Sequence, residues 1–227
     1  MRQTWHDLLF AHWPIAANVL RELVPPAFQL DTYDGQAWIG VIPFRMSDVS
    51  LRWMPALPWI SAFPELNVRT YVTVEDKPGV YFFSLDAGKR LAVAVARRFF
   101  FLPYFHARMI SRHEGDTIYY SSKRIHPGAP YAAFQARYRP TGAVLNTNPG
   151  SLERWLTERY CLYTTSRGRA YRLEIQHAPW QLQPAEAEIE INTMTAPHSI
   201  RLPDTPPLLH FSQQLKMVGW PLEQLQR

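Results

Sequence analysis

The 227-residue chain is poor in cysteine and lysine, the residues that supply covalent cross-links and reactive amines. Cys161 is its single cysteine, so no disulfide can form within the chain and a reducing compartment is expected. Only four of the 24 basic residues are lysine, which leaves 20 arginines. Arginine suits planar recognition of carboxylate or phosphate, although a genome-level codon bias would give the same ratio.

The sequence also lacks targeting, membrane-spanning and nucleic-acid-binding segments. Its first residues, MRQTWHDLLF, contain no apolar signal core, and no apolar run approaches the ~20 residues that span a bilayer. Basic residues are spread along the chain with acidic residues between them, and the formal net charge is only +5. We therefore expect a soluble cytoplasmic protein that binds neither membranes nor nucleic acids.

Several motifs of catalysis and nucleotide binding are absent as well. The chain has no GxGxxG, no GxxxxGKS/T and no GxSxG, which removes the common phosphate-binding loops and the nucleophile elbow. HEGD at 113–116 lacks the second histidine of a zinc-binding HExxH, and the eight histidines are scattered. Cys161 is expected in the core rather than as a nucleophile. We expect no metal and no other cofactor.

The composition favours one folded domain, over residues 1–227, with many short elements. Hydrophobic residues make up 47% and aromatic residues 14% of the chain, which is enough for a large core. The 20 prolines, against 10 glycines, do not fit inside helices or central strands. They indicate short elements that are joined by stiff corners.

Apolar periodicity predicts three helices. They cover 16–26, a segment from 88 to Pro103 with Leu91, Ala92, Val95 and Phe99 on one face, and 148–164 with Leu152, Trp155, Leu156 and Tyr160 on one face. Residues 45–61 show no clean period, and we expect either a lid or a loop over a sheet edge there.

Strands outnumber helices, and hairpins dominate. Strands are predicted over 4–14, 28–44 (a hairpin at Asp34-Gly35), 62–72, 79–87, 116–125, 132–140, 170–180 and 207–222, and 185–192 is either a strand or a short helix. The pattern predicts an α+β fold on an antiparallel sheet that is closed or nearly closed into a barrel.

One predicted strand, AFPELNVRTYV at 62–72, carries polar residues on one face. Glu65, Asn67 and Arg69 alternate with the apolar Leu66 and Val68. On a two-layer sheet this polar face would be solvated. In a closed barrel it would face the lumen, where charges must be paired and hydrated and where a small molecule would bind.

A second segment of interest is ARRFFFLPYFHAR at 96–108. Arg97 lies late in the predicted helix, where a cation suits the helix dipole. Tyr104 and His106 follow Pro103 and would point the same way in an extended chain. His106 is a candidate acid or base near neutral pH, with a structural histidine as the alternative.

The sequence resembles the YqjF-like family of uncharacterised bacterial proteins along nearly its whole length. The resemblance rests on QTWHDLLFAHWP, VPPAFQLDTYDGQAWIGVIPF, SAFPELNVRTYV, FFSLDA, ARRFFFLPYFHA, SLERWLTERYCLYT and LHFSQQLKMVGWP, in this order. It implies a soluble bacterial protein and no settled activity.

That family in turn resembles the acetoacetate decarboxylases, which are β-rich barrels with a lumenal active site and which form oligomers. The resemblance places Glu65, in FPE, at the active-site glutamate of those enzymes. It places Arg97 at the arginine of the Gly-Arg-Glu…Pro-Lys-Lys motif at the end of one of their helices. It places Tyr104 where they carry the lysine that forms a Schiff base. Tyrosine supplies no amine, and Lys89 lies about 20 Å away along the helix. The sequence therefore predicts a protein that is not an acetoacetate decarboxylase. Because those enzymes form oligomers, the resemblance also implies self-association.

Three functions remain open from the sequence. The first is a non-Schiff-base lyase, hydratase or isomerase for a small anionic or carbonyl-containing molecule. Its candidate catalytic residues are Glu65 and Tyr104, and its candidate substrate-binding residues are Asn67, Arg69, Arg97 and His106. The second is a non-catalytic protein that binds a small or lipid-like molecule in the same pocket. The third is a structural or interaction module in which Glu65 and Arg69 merely pair.

Overall fold

The computed structural model describes residues 1–50 and 62–226. Within these residues, thirteen strands form one sheet, accompanied by three α-helices and one turn of 3-10 helix (Ala196–His198). In chain order the elements are β1 (Arg2–Ile15), α1 (Ala17–Leu23), β2 (Gln29–Leu30), β3 (Ala37–Ser50), β4 (Phe63–Val74), β5 (Lys77–Ala87), α2 (Arg90–Phe99), β6 (Tyr104–Glu114), β7 (Thr117–Arg124), β8 (Ala133–Pro140), α3 (Leu152–Thr157), β9 (Cys161–Ser166), β10 (Arg169–His177), β11 (Gln183–Asn192), β12 (Leu208–Gly219) and β13 (Glu223–Gln224).

The sheet closes on itself through two circuits of strands. Nine strands form a ring in the order β1, β3, β4, β5, β6, β7, β8, β11 and β12, and β12 pairs again with β1. A second path runs from β5 through β9 and β10 to β12. Five strands therefore belong to both circuits, namely β12, β1, β3, β4 and β5. We call the circuit that contains β9 and β10 the seven-strand circuit.

The predicted β-rich α+β fold on a closed or nearly closed sheet is confirmed by this arrangement. Neighbouring strands are antiparallel except where β5 pairs with β6 and with β9. These two parallel contacts join β5 to strands that lie far apart in the chain, and they allow β5 to serve both circuits.

A strand shared by the two circuits has an enclosed space on each face, and β4 is the clearest case. Its residues Leu66 and Val68 pack into the main core with aromatic side chains of β7 and β8, such as Tyr120 and Phe134. Glu65 points to the other face and is also buried, with 3% of its surface exposed. The polar face of this strand is therefore not solvated.

The Asp34-Gly35 turn forms, but its hairpin is much smaller than predicted. Both residues have positive φ values, 49° and 76°, as a tight turn requires. The turn closes only one bridge, between Tyr33 and Gln36. Strand β2 pairs with β4 instead of β3, at Val72 and Thr73, where the pairing of β3 with β4 has already ended.

The predicted helix over 148–164 is wrong beyond its first turns. The helix begins after Ser151, whose Oγ accepts a hydrogen bond from the backbone N–H of Arg154 at 3.4 Å, and α3 ends at Thr157. The β-branched and aromatic residues that follow form β9, which pairs with β10. Cys161 consequently lies buried in a strand and not at a helix end.

Helix α2 forms and ends before Pro103 as predicted, but it buries a different face. Val93 is its buried residue, whereas Leu91 and Phe99 are 55% and 63% exposed. Both sides of this helix are rich in apolar residues, so the period alone could not identify the side that packs on the sheet.

The segment predicted as a lid or loop divides into two parts. Residues 45–50 complete strand β3, and residues 51–61 lie outside the described residues. Among the described helices, none has both the length and the apolar character needed to cross a membrane.

Candidate functional site

A cavity of about 90 Å³ lies inside the seven-strand circuit, on the face of β4 opposite the main core. Each strand of that circuit contributes to its lining, for example Trp5, Phe44, Glu65, Phe82, Leu162, His177 and Met217. The cavity therefore exists because β9 and β10 complete a circuit outside the nine-strand ring.

Glu65 and Tyr104 form a hydrogen-bonded pair in the cavity wall. The Tyr104 hydroxyl donates to Glu65 Oε2 at 2.7 Å. Burial raises the pKa of Glu65 to about 8, and the charge of Asp86 adds to this effect, while the hydrogen bond from Tyr104 opposes it. Burial also raises the pKa of Tyr104 well above its usual value. At neutral pH both groups are therefore mainly protonated.

The backbone around Glu65 is fixed by a buried tyrosine of the main core. The Tyr120 hydroxyl reaches through the shared wall and donates to the carbonyl oxygens of Glu65 at 2.6 Å and Phe44 at 3.2 Å. Tyr120 thus ties β3 and β4 together at the position of the carboxyl group.

Arg69 and Asn67 line the same cavity, and each has an unsatisfied polar atom. Arg69 Nη2 donates to the carbonyl oxygen of Leu156 at 3.2 Å. Arg69 Nε and Asn67 Oδ1 are buried and have no hydrogen-bond partner among the described residues. Among the described residues no ion pair joins Glu65 and Arg69, and Glu65 Oε2 accepts the hydrogen bond from Tyr104. Unpaired buried groups of this kind are costly unless a ligand or water satisfies them.

Arg159 is a further cavity residue, which sequence reasoning missed. It is 5% exposed, and its Nη1 donates to Asp31 Oδ2 at 2.6 Å. Its Nε donates to the carbonyl oxygen of Trp155 at 2.6 Å, and its Nη2 has no partner among the described residues. Arg159 follows α3 in a stretch that was predicted to be helical, so no local pattern indicated an inward-facing cation.

The rest of the cavity wall is largely apolar and aromatic. The rings of Trp5 and Trp180 are stacked with centroids 5.8 Å apart, and Trp180 meets Phe10 edge to face at 4.9 Å. Phe44 packs against Trp5 at 6.0 Å. The polar residues of the cavity are therefore surrounded by largely apolar surfaces, which makes it costly to leave them unpaired.

Two of the predicted substrate-binding residues lie outside the cavity lining. Arg97 is exposed, and its Nη1 donates to the backbone carbonyl oxygen of Tyr104 at 2.8 Å. The backbone N–H of His106 donates to His126 Nδ1 at 3.2 Å. Burial and the charge of Arg90 lower the pKa of His106. The structure thus brings together Glu65, Asn67, Arg69 and Tyr104 but not Arg97 or His106.

Within the described part of the chain, neither a lysine nor a cluster of metal ligands accompanies these residues. All four lysines, Lys77, Lys89, Lys123 and Lys216, are exposed, and none lines the cavity. Over residues 1–50 and 62–226, no group of three or more His, Cys, Asp or Glu side chains could hold a metal ion.

The family of the chain follows from comparison with known sequences. The model of the DUF2071 family, described as an uncharacterized conserved protein, matches residues 2–216. This chain belongs to that family. Uncharacterized protein YqjF of Bacillus subtilis (strain 168) is 54% identical over 222 residues, which cover 98% of this chain and 91% of YqjF. The resemblance to the YqjF-like family is thereby confirmed.

Solved structures of acetoacetate decarboxylase-like proteins share the fold of this DUF2071 member. An acetoacetate decarboxylase-like enzyme from Sphingomonas wittichii RW1 superposes with a TM-score of 0.66 at 12% identity, over 99% of this chain and 92% of that one. Acetoacetate decarboxylase from Legionella pneumophila subsp. pneumophila str. Philadelphia 1 gives 0.68 at 12% identity, over 99% and 87%. The enduracididine biosynthesis enzyme MppR, complexed with pyruvate, gives 0.64 at 8%, over 99% and 90%. At these identities the similarity concerns the fold alone.

Proposed function

We propose that this protein is an enzyme that binds a small anionic or carbonyl-containing molecule in the cavity and acts on it without a Schiff base. Lyase, hydratase and isomerase chemistry fit this proposal. The observation that carries it is a protonated, enclosed carboxyl group, Glu65, which shares a cavity with the arginines Arg69 and Arg159.

Glu65 would act as the proton donor and acceptor of the reaction. A carboxyl group with a pKa of about 8 holds its proton at neutral pH, yet can lose it at moderate cost. Tyr104 would redirect its single O–H from Glu65 to a carbonyl oxygen of the ligand, and Arg69 would hold the carboxylate of the ligand. Asn67 would add a polar contact from the same face of β4.

A mechanism through a lysine imine does not fit the residues of the cavity. Tyr104 occupies the place that the resemblance gives to the Schiff-base lysine, and the four lysines are exposed. We therefore propose that the protein is not an acetoacetate decarboxylase. Borohydride reduction in the presence of pyruvate or acetoacetate should leave the mass of the protein unchanged, and a covalent adduct on any lysine would contradict this.

Proton exchange at carbon provides the test of the enzymatic proposal. Small 2-oxo and 3-oxo acids are incubated with the protein in D₂O, and loss of the proton signals next to the carbonyl group is followed by NMR. We expect catalysed exchange with at least one acid of the panel. Glu65→Gln should slow this exchange by roughly 100-fold or more, since it removes the acid–base group of the cavity.

Glu114→Gln serves as the matched control, because Glu114 is exposed and lies outside the cavity. It should exchange protons like the wild-type protein. Circular dichroism must show that Glu65→Gln is folded. If folded Glu65→Gln exchanges protons at the wild-type rate, the role of Glu65 is refuted. If the wild-type protein binds the acids but exchanges none, the catalytic proposal fails.

The second candidate is a non-catalytic binding protein, and the apolar wall favours it. Trp5, Phe44, Phe82 and Trp180 line the cavity around a few polar groups. Such a wall binds the apolar part of a ligand without any chemistry. Binding without exchange in the experiment above would identify this function. The interaction-module alternative is less well supported, since Glu65 is buried and bonded to Tyr104.

A further inference from the structure

We propose that Arg69, Tyr71 and Arg159 form a clamp for the carboxylate of a singly charged ligand, in which Tyr71 is the positioning residue of the two arginines. This proposal rests on the proposed function, because it specifies the ligand of the same cavity. It gives Arg159 and Tyr71 roles in holding the ligand and names the charge and shape of the group that is bound.

Tyr71 lies next to both guanidinium groups. Its ring centroid is 5.7 Å from Cζ of Arg69 and 5.0 Å from Cζ of Arg159. Trp155 adds a second ring beside Arg159, at 4.3 Å. Aromatic faces attract cations, so these rings stabilise two positive charges that would otherwise repel each other.

The orientation of Tyr71 is fixed by a buried histidine. The Tyr71 hydroxyl and His12 Nε2 lie 2.7 Å apart, and both residues are fully buried. Burial and the nearby charge of Arg69 lower the pKa of His12 well below its usual value, so His12 is neutral at physiological pH. The pair therefore holds the ring in place without adding another charge near the arginines.

The two guanidinium groups retain unused hydrogen-bonding capacity. Arg69 Nε and Arg159 Nη2 have no acceptor among the described residues, although Arg69 Nη2 and the Nε and Nη1 atoms of Arg159 each donate a hydrogen bond. A planar group with two acceptor oxygens between the arginines would supply what the protein does not. A carboxylate has this shape.

Charge balance indicates a single negative charge on the ligand. Arg159 is compensated by Asp31, whereas Arg69 has no acidic partner among the described residues. Glu65, which is mainly protonated at neutral pH, contributes little negative charge. Of the two guanidinium groups, only that of Arg69 lacks an acidic partner among the described residues, which favours a monoanion over a phosphate dianion.

Calorimetric titration of the full-length protein with sodium acetate, sodium propionate and sodium phosphate tests the clamp. We expect the carboxylates to bind and phosphate to bind at least tenfold more weakly. Arg159→Met and Tyr71→Leu should each weaken carboxylate binding about tenfold or more. Tyr71→Phe keeps the ring but loses the contact with His12, and it should show a smaller loss.

Asp31→Asn provides a readout that a merely structural role would not give. Asp31 competes with a bound carboxylate for Arg159, so its neutralisation should strengthen carboxylate binding severalfold. Tyr163→Phe is the matched control for a lost buried hydroxyl, since Tyr163 donates to the carbonyl oxygen of Lys77 at 2.8 Å, away from the cavity. It should leave carboxylate binding unchanged.

The outcomes separate the clamp from the proposed function. If carboxylates bind but folded Arg159→Met and Tyr71→Leu bind them like the wild-type protein, the clamp is refuted and the proposed function stands. Phosphate binding as strong as acetate binding would also refute the clamp. If neither acetate, propionate nor any oxo acid binds to the folded wild-type protein, the clamp and the proposed function both fail.

Discussion

Burial gives the Glu65 side chain a much higher pKa than an exposed glutamate has. An exposed carboxyl group ionises near pH 4.5, whereas burial raises the pKa of Glu65 to about 8. Its proton is retained because Asp86 adds negative charge nearby and only Tyr104 donates to its side chain among the described residues. A strand residue that could have been solvated is thus a neutral acid at physiological pH.

The raised pKa of Glu65 predicts a specific pH dependence of stability. Between pH 4.5 and about 8 the unfolded chain loses the proton of Glu65 while the folded protein keeps it, so the free energy of unfolding falls as pH rises. Glu65→Gln removes this term. Relative to the variant, wild-type stability should fall by roughly 2–3 kcal/mol from pH 5 to pH 7.

Urea denaturation of both proteins at several pH values measures this difference. The difference between them should level off above pH 8, where Glu65 is ionised in both states. A constant difference from pH 5 to pH 7 would show that Glu65 titrates normally in the folded protein.

At the scale of single residues, the sequence indicated only part of the site. The alternation of Glu65, Asn67 and Arg69 was visible, and so was Tyr104 after Pro103. All four line the cavity. Arg159 gave no signal, because its position depends on how the chain turns after α3 and not on its neighbours.

At the scale of elements, strand pairing overrides helical periodicity in this protein. Leu152, Trp155 and Leu156 have helical spacing and do form α3, but the pattern continues to Tyr160 without a helix. Residues of β9 gain backbone pairing with β10 and with β5, which a helix there would forfeit.

A buried ion pair connects the ends of β5 and β7, and its removal should be strongly destabilising. Arg124 donates to Asp86 through Nε at 3.0 Å and Nη2 at 2.7 Å, with side chains that are 1% and 0% exposed. Asp86→Asn leaves the guanidinium charge buried without its counter-ion. We expect a loss of roughly 3–5 kcal/mol in the free energy of unfolding, measured by urea denaturation at pH 7.

Lys77→Met is the control for this measurement. Lys77 pairs with Glu174 at 2.6 Å, but both side chains are more than 40% exposed. Its loss should be below about 1 kcal/mol. Similar losses in the two variants would mean that the Asp86–Arg124 pair contributes no more than a surface pair.

At the scale of the whole molecule, the position of the cavity follows from two circuits that share five strands. The main core fills the nine-strand ring, and the cavity lies in the seven-strand circuit. The short parallel contact of Val80 and Tyr81 with β9 helps to close the second circuit. Together with the pairing of β10 with β12, it covers the polar face of β4.

Gly79 tests this closure, because it faces β9 with no room for a side chain. A Cβ atom at this position would lie 2.5 Å from the carbonyl oxygen of Cys161 and 2.6 Å from the ring of Tyr163. Gly79→Ala should therefore separate the strands and lower the free energy of unfolding by about 2 kcal/mol. For a protein of this size, Tm should fall by roughly 4–8 °C in a thermal scan.

Gly88→Ala is the control at the other end of β5. Its nearest neighbour would be Pro64 Cδ at 3.6 Å, which is an ordinary contact. Tm should change by less than in Gly79→Ala. An unchanged Tm in Gly79→Ala would show that the contact between β5 and β9 is looser than the structure indicates.

The sequence by itself determined the β-rich class, most strand positions, the family and the polar face of β4, because these depend on local alternation and on matching segments. Only the tertiary structure decided that this face is enclosed, that Arg159 joins Arg69 there, and that Arg97 stays outside. These features depend on contacts between strands that lie far apart in the chain, such as β5 with β9 and β10 with β12. Local residue patterns do not encode such contacts.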